Sequence, residues 1–306
     1  MAHLWLPPLR YWLLFVFATS ALYAHFRGRV RFKLSRALTD FTVLLAPVNA
    51  LLYLSSRVPA TPYLPVQDFP ELAPLREHWQ EIRDEALLLN HDGHIKAATG
   101  HTDIGFNSFF RTGWKRFYLK WYGTDMASAQ AMCPRTVELL RQIPSVKAAM
   151  FASLPPGAKL VRHRDPYAGS LRYHLGLFTP NSDGCYIEVD GQRHAWHDGE
   201  AVMFDETFIH HAENTTDQQR VILFCDVERP VHTAPMRWFN RLFGRLVMTA
   251  AATRNTDDEP IGALNKLFFY GYKIRLAGKA LKARSRTTYY VGKWALMLGA
   301  LYLILR

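Results

Sequence analysis

Three residues whose side chains can bind a metal ion have a spacing that would let them share one ion. His163 and Asp165 form a His-x-Asp pair, and His210 follows far along the chain. Because residues i and i+2 of an extended chain point to the same face, His163 and Asp165 can bind one ion from a strand end. His210 can complete the site from a neighbouring strand. Two imidazoles and one carboxylate are typical of non-haem Fe(II) centres, which keep coordination positions open for substrate and O₂.

The same residues have other possible interpretations. No cysteine lies near them, which argues against a thiolate-type zinc site. The tripeptide His-Arg-Asp also opens the protein-kinase catalytic loop, but no Gly-rich loop, VAIK lysine or DFG motif accompanies it. The plain alternative is a surface turn without chemistry, since so short a motif often occurs by chance.

Further basic residues follow the His-x-Asp pair and favour a functional site. Arg172 and His174 share one face of the strand-like stretch SLRYHLGLF, and Arg220 precedes the apolar run VILFCDV. A planar guanidinium binds a carboxylate through two hydrogen bonds, which suits the far end of a dicarboxylate cosubstrate such as 2-oxoglutarate. The sequence therefore predicts a metal centre with a carboxylate-binding arginine.

The order of these motifs resembles the aspartyl/asparaginyl β-hydroxylase family of Fe(II)/2-oxoglutarate dioxygenases. The pattern is H-x-D, then R-x-H-L-G-L, then F-D-E-T-F-x-H, and then an arginine ten residues later. Outside these motifs, FRGRVRFK, SRVPATPYL, GFNSFFRTGWKRFYLKWY and IPSVKAAMFASLPPG are similar to the bacterial branch that 2-hydroxylates lipid A. The resemblance covers nearly the whole chain.

The resemblance implies a role for each of these residues and a set of cofactors. The family's metal positions match His163, Asp165 and His210. Arg220 matches the arginine that holds the distal carboxylate of 2-oxoglutarate, and Arg172 and His174 match further cosubstrate contacts. The expected cofactor is Fe(II), with 2-oxoglutarate and O₂ as cosubstrates.

The sequence departs from the family's animal peptide hydroxylases at two positions. Those enzymes have glycine where Asp165 stands, so this chain has the fuller set of ligands. Their cosubstrate-binding serine aligns with Ala152, whereas the serine here is Ser153. A shift of one residue on a strand reverses the direction of the side chain, so Ser153 receives no role.

Short strands separated by Gly- and Asn/Asp-containing turns are expected between residues 146 and 227. With the family resemblance, they predict a mainly β protein with a double-stranded β-helix (jelly-roll) core and flanking helices. A helix is expected over Phe69–Asn90, and a first strand over Trp114–Tyr122. The predicted parts are an N-terminal anchor (1–56), a linker (57–67), a supporting region (68–145), the dioxygenase core (146–230) and a basic C-terminal segment with a membrane helix (231–306).

Apolar runs near both ends, Tyr11–Ala24 and Tyr289–Leu305, predict membrane-anchoring helices. Basic residues flank each run on the side of the enzyme, which predicts a catalytic domain facing the cytoplasm. The alternatives are a cleaved signal peptide at the N-terminus, or helices that lie on the membrane surface. The stretch Phe41–Leu54, interrupted by Pro47 and Asn49, is either an interfacial helix or a buried helix of the enzyme.

Charge and composition limit the partners that the sequence predicts. The formal net charge of +11 comes largely from the two ends and favours an anionic lipid surface over nucleic acid. The cysteines are three in number and widely spaced, which favours a reducing compartment. No obligate protein partner is evident, and the bacterial inner membrane is the expected location.

The predicted function is Fe(II)/2-oxoglutarate-dependent hydroxylation of a secondary acyl chain of lipid A at C-2. The same chemistry on an ornithine-type aminolipid, or on the β-carbon of a peptide Asp or Asn, is the enzymatic alternative. A jelly-roll binding module without turnover is the alternative from another class.

Overall fold

Two antiparallel sheets form the centre of the protein, whose computed structural model describes residues 8–37, 40–98 and 103–305. The strands are β1 (Tyr63–Leu64), β2 (Lys115–Trp121), β3 (Thr124–Asp125), β4 (Val146–Leu154), β5 (Ser170–Phe178), β6 (Cys185–Val189), β7 (Gln192–Ala195), β8 (Ala201–Phe204), β9 (His210–Asn214) and β10 (Arg220–Glu228). The larger sheet has the order β1-β8-β5-β10-β4-β2-β3, and the smaller has the order β7-β6-β9. The prediction of a mainly β protein is confirmed, and all the strand pairs described are antiparallel.

The helices surround these sheets. They are α1 (Leu9–Phe26), α2 (Leu34–Ala37), α3 (Ala46–Leu54), α4 (Ala73–Glu77), α5 (Trp79–His91), α6 (Ala127–Met132), α7 (Pro134–Arg141), α8 (Ala234–Phe243), α9 (Ala263–Arg284) and α10 (Arg286–Leu305). The single helix expected over Phe69–Asn90 is a short 3-10 turn followed by α4 and α5, which meet at His78. The strand expected over Trp114–Tyr122 is β2, one residue shorter at each end.

The core lies on the helix-covered face of the larger sheet and between the two sheets. The central strand β10 pairs with β4 along one edge and with β5 along the other, and most of its side chains are buried. Helix α5 buries Ile82, Ala86 and Leu89, which recur at helical spacing along one face. The helix packs against β5 and leaves its polar face to solvent.

The transmembrane helices predicted at the two ends require correction. Among the described residues, no helix combines the length and the apolar character needed to cross a membrane. Arg10 lies within the 18 residues of α1, and Arg286 and Lys293 lie within the 20 residues of α10. These charged residues lower the hydropathy of helices that are already short for a span.

The stretch Phe41–Leu54 contains a 3-10 turn followed by α3, which packs on the enzyme. Helix α3 buries Ala46, Asn49 and Leu52 and leaves Leu51 and Leu54 exposed. Its buried face agrees with the alternative of a helix within the enzyme body. The segment before the predicted linker is therefore packed against the β core.

A buried ion-pair cluster joins the N-terminal segment to the core. Asp205, just after β8, lies 2.5 Å from the Arg27 guanidinium and 2.9 Å from that of Arg229. All three side chains are buried. Burial alone would raise the pKa of Asp205, but Arg229 and Arg27 outweigh burial and lower it well below its usual range.

We predict that Asp205→Asn lowers the free energy of unfolding at pH 7 by about 3–5 kcal/mol, because it leaves two buried guanidinium groups without their carboxylate. The pKa of Asp205 is lower in the folded state than in the unfolded state. Its stabilisation is therefore fully present above about pH 4 and is lost as the pH falls through the folded-state value. Urea denaturation at pH 7, 5 and 3 should show a constant difference between wild type and variant at the upper two values and a smaller difference at pH 3.

Asp84→Asn is the matched control, since Asp84 forms an exposed pair with Arg83. Its effect should stay within about 1 kcal/mol at pH 7. An Asp205→Asn protein as stable as this control would contradict the structural role of the cluster.

Candidate metal centre and cosubstrate pocket

His163 and His210 lie directly opposite each other in an antiparallel bridge. The His163 amide donates to the His210 carbonyl at 2.9 Å, and the His210 amide donates to the His163 carbonyl at 2.7 Å. The two ring centroids are 4.2 Å apart. Because cross-strand neighbours project to the same side of a sheet, the pairing brings together two imidazoles that are distant in the sequence.

Both imidazoles are oriented by the same backbone contact. The Nδ1 atom of His163 donates to the Val161 carbonyl at 2.8 Å, and that of His210 donates to the Phe208 carbonyl at 2.9 Å. Since a carbonyl only accepts, these bonds leave each Nε2 with a lone pair, as metal-ligating histidines require. Burial lowers the pKa of His163 and lowers that of His210 to about 3, so both rings are neutral at pH 7.

Asp165 completes the group of possible ligands. One ligand atom from each of His163, Asp165 and His210 lies within 4.8 Å of the other two. The Oδ1 atom of Asp165 is 3.8 Å from the His163 Nε2, while Oδ2 accepts from Arg172 at 2.7 Å. Burial would raise the pKa of Asp165, but the Arg172 guanidinium outweighs burial and lowers it, so the group is a carboxylate at neutral pH. The structure thus brings the three predicted ligands together.

A cavity that opens to solvent lies between the two sheets, with these residues in its wall. Its other predicted residues are Arg172, His174 and Arg220. The remainder of the wall is apolar and consists of Phe106, Phe109, Trp114, Leu160, Ile187, Trp196, Phe204, Ala212, Ile222 and Phe224. The cavity therefore combines one polar cluster with a predominantly aromatic surface.

Arg220 is a buried cation with no carboxylate beside it. In the part of the chain that the structure describes, no acidic group lies within ion-pair distance of its guanidinium, and its Nε has no hydrogen-bond partner. The guanidinium lies 4.4 Å from the centre of the Trp196 ring. Burial lowers its pKa to about 10, which leaves it charged at neutral pH. A buried unpaired charge is costly, so this position fits an anionic ligand.

The His174 ring, like Arg220, is buried and has unused hydrogen-bonding capacity. Neither ring nitrogen has a hydrogen-bond partner among the described residues, although the ring is buried. It stacks on Phe224 and meets the edge of Phe204, each with 5.0 Å between ring centroids. Burial, with Arg172 and Arg220 nearby, lowers its pKa well below the usual value. The neutral ring can therefore donate to or accept from a ligand in the cavity.

Arg172 differs from Arg220 and His174 because carboxylates surround its guanidinium. Its guanidinium pairs with Asp165 at 2.7 Å, with Asp226 at 3.2 Å and with Glu206. Glu206 also accepts from Ser170 at 2.7 Å. Arg172 lines the cavity, as a cosubstrate contact would, but the contacts in the structure are to acidic side chains.

Two residues of this network, Glu206 and Asp226, have no assigned role in the sequence-based prediction. Signals for both exist: Glu206 stands inside the F-D-E-T-F-x-H motif, and Asp226 is a carboxylate within an otherwise apolar strand. Burial raises the pKa of Asp226, and Arg172 counteracts this effect only in part. A carboxylate in a buried strand indicates a specific partner, here Arg172, which pairs with it across β5 and β10.

The structure places Ser153, which received no role in the sequence analysis, outside the cavity. Ser153 is opposite Val221, whereas its neighbours Ala152 and Leu154 are opposite Ile222 and Arg220, which line the cavity. Ser153 therefore faces the other side of the sheet. Three further histidines, which are likewise not in the predicted site, are absent from the cavity wall: His194, His197 and His211.

Comparison with known proteins places this site in a family. The family model described as aspartyl/asparaginyl β-hydroxylase matches residues 76–230, which is half of the chain and includes every predicted site residue. The chain belongs to this family. The predicted resemblance to the aspartyl/asparaginyl β-hydroxylase family is confirmed.

Named relatives include enzymes with different substrates in their names. The ornithine lipid ester-linked acyl 2-hydroxylase of Rhizobium tropici is 37% identical over 182 residues, which are 58% of this chain and 64% of that protein. The human aspartyl/asparaginyl β-hydroxylase is 28% identical over 168 residues, 53% of this chain and 22% of that protein. The chain thus spans less than two thirds of the length of each.

Solved structures add one comparison. A Pseudomonas putida prolyl-4-hydroxylase aligns with 61% of this chain and 99% of its own at 19% identity, with a TM-score of 0.34. A score of that size supports no conclusion about function.

We predict that His163→Ala and Asp165→Ala each weaken the binding of Mn(II), a redox-stable substitute for Fe(II). The loss should exceed the roughly 10–100-fold that is typical for removing an outer-shell partner, because a ligand itself is lost. Isothermal titration calorimetry on the purified full chain measures the affinity.

His211→Ala provides the control, since His211 neighbours His210 but lies outside the cavity wall. It should bind Mn(II) as wild type does. Equal affinities for all four proteins would show that the three residues do not form a metal site.

Proposed function

We propose that the protein is an Fe(II)/2-oxoglutarate-dependent hydroxylase of a lipid acyl chain. The observation that carries the proposal is the division of one cavity into a polar cluster, a buried unpaired arginine and an aromatic wall. His163, Asp165 and His210 would hold Fe(II), whose preference for imidazole and carboxylate ligands fits this set. When bound, iron with 2-oxoglutarate and O₂ supplies the oxidant for an unactivated C–H bond.

The proposed place of 2-oxoglutarate follows from the unpaired groups of the cavity. The Arg220 guanidinium would bind the distal carboxylate, which gives the buried cation the counter-charge that it lacks. His174 offers a neutral hydrogen-bonding ring in the wall of the same cavity. Arg172 would act on the metal ligands, where its bond to Asp165 Oδ2 leaves Oδ1 for the ion.

The aromatic wall supports an apolar substrate. Phe109 lies with its ring centroid 4.7 Å from that of His163, and Phe106 stacks on Trp114 at 4.9 Å. The loop with both phenylalanines is held by Asp103, which accepts from Arg116 at 3.0 Å and from the Phe106 amide at 3.2 Å. Such a wall would position a hydrocarbon chain next to the metal and exclude water.

We infer that the substrate is lipid A and that C-2 of a secondary acyl chain is the reacting carbon. The support is the sequence resemblance to the lipid A branch and the acyl 2-hydroxylase among the relatives. An ornithine-type aminolipid is the first alternative, since that relative carries the name of such a substrate. A peptide Asp or Asn fits the aromatic wall less well, because a charged or polar side chain would lose its hydration there.

The proposed location is the cytoplasmic face of the bacterial inner membrane. Exposed apolar side chains cover much of α1 and α10, among them Trp12 and Phe15 on α1 and Trp294 and Leu298 on α10. Lysines and arginines on α9 and α10 accompany them. Exposed apolar and basic residues together favour helices that lie in the interface of an anionic membrane.

We predict that cells lacking a lipid A hydroxylase gain one oxygen atom on a lipid A acyl chain when they express this protein. Mass spectrometry of extracted lipid A would detect the product, and fragmentation would place it at C-2. Cells that express His163→Ala should show no gain, because the proposed metal centre is incomplete.

Ornithine lipids from the same cells are measured in parallel. Hydroxylated ornithine lipid with unchanged lipid A would move the substrate to the alternative. If neither lipid is hydroxylated although the cells contain intact protein, the proposal of a lipid substrate is contradicted.

We predict that Arg220→Gln weakens 2-oxoglutarate binding by about 30-fold or more, since a buried charge pair is lost. The KM for 2-oxoglutarate, measured by succinate release, is the readout. Mn(II) affinity should not change, because Arg220 is not among the proposed ligands.

Arg193→Gln is the matched control, because Arg193 is an exposed arginine of strand β7 and lies outside the cavity wall. Its KM should equal that of wild type. An unchanged KM in Arg220→Gln would exclude Arg220 as the carboxylate-binding residue.

A further inference from the structure

Residues upstream of the family match contact the loop that carries two of the proposed ligands. We call residues 161–168 the metal loop and the described residues of 24–53 the N-terminal segment. Asn49 of α3 donates to the Pro166 carbonyl and accepts from the Ala168 amide, both at 2.8 Å. Asn49 is only 5% exposed, so water competes little for these bonds. The asparagine thus fixes the backbone directly after Asp165.

Arg164 makes the second connection, from a position between the two ligands. Because the ligands share one face, the Arg164 side chain points to the opposite face, towards the N-terminal segment. Its Nε donates to Asp40 at 3.0 Å and to Thr42 at 2.9 Å, and Nη1 donates to the Ala24 carbonyl at 2.9 Å. The guanidinium is buried by these contacts. The metal loop is therefore bound on the side that faces away from the cavity.

Apolar packing supports the same connection. Leu52, one turn after Asn49, is fully buried in a small cluster with Tyr167 and Ala168. This cluster is separate from the main core and also includes Phe243 of α8, so the end of the metal loop packs between α3 and α8. Hydrogen bonds, an ion pair and apolar contacts therefore all join the metal loop to the N-terminal segment.

We propose that Asn49 and Asp40 are positioning residues of the metal centre, and that the N-terminal segment completes this centre. The inference rests on the proposed metal site. A metal site needs its ligands held to within about 0.5 Å, and a loop has this precision only when its backbone is bound on both sides. The His163–His210 bridge supplies one side, and the N-terminal segment supplies the other.

The test compares two buried asparagines with the same type of contact. Asn255 also binds backbone through its amide, since it accepts from the Tyr118 amide and donates to the Tyr118 carbonyl, both at 2.8 Å. It contacts β2 rather than the metal loop. Mn(II) affinity by calorimetry and urea denaturation without metal are measured for full-length wild type, Asn49→Ala and Asn255→Ala. Asn49→Ala should weaken Mn(II) binding by about tenfold or more, whereas Asn255→Ala should lower stability and leave Mn(II) affinity unchanged.

Asp40→Asn is the second variant, because it keeps the size of the side chain and alters one partner of Arg164. It should also weaken Mn(II) binding, by less than Asn49→Ala. Wild-type affinity in whichever of these two variants folds would overturn the inference. If wild type itself binds no Mn(II), the metal centre of the proposed function fails, and the positioning role fails with it.

Discussion

The paired hydrogen bonds between His163 and His210 are the contact on which the site depends. They join an irregular loop to the first residue of β9 and place two imidazoles side by side. Each ring is then turned by a bond from Nδ1 to a carbonyl two residues earlier in the chain. Backbone geometry alone therefore leaves both Nε2 lone pairs available, without any acidic residue to orient the rings.

Two buried arginines divide the electrostatics of the cavity. Arg172 lies among three carboxylates, so its charge is more than neutralised by the protein. Arg220 has no acidic neighbour within ion-pair distance among the residues that the structure describes, so its charge is available to a ligand. Arginine thus has opposite roles at two positions of one cavity. Arg172 on β5 lies opposite Asp226 of β10, whereas Arg220 lies at the other end of β10, away from this carboxylate. An anion entering the cavity is attracted to Arg220 and not to Arg172.

The strands and the candidate ligands could be predicted because their signals are local or part of the family motifs. The strands β5 and β10 are apolar runs, and the His-x-Asp pair is contiguous. The contacts of Arg172 with Glu206 and Asp226 could not be predicted, since they depend on the register between distant segments. Asn49 illustrates a different limit. In the sequence it interrupts an apolar run, whereas in the structure it forms the polar contact that joins α3 to the metal loop.

The contacts of α3 have a consequence for how the enzyme is divided. The family match begins at residue 76, and a fragment cut there would retain every proposed ligand. It would also leave Arg164 without its carboxylate and expose the apolar side of Tyr167 and Ala168. The boundary given by similarity and the boundary of the cooperative folding unit therefore differ by several helices. Recombinant versions designed to remove the apolar N-terminus should still include Ala24, Arg27, Asp40 and all of α3.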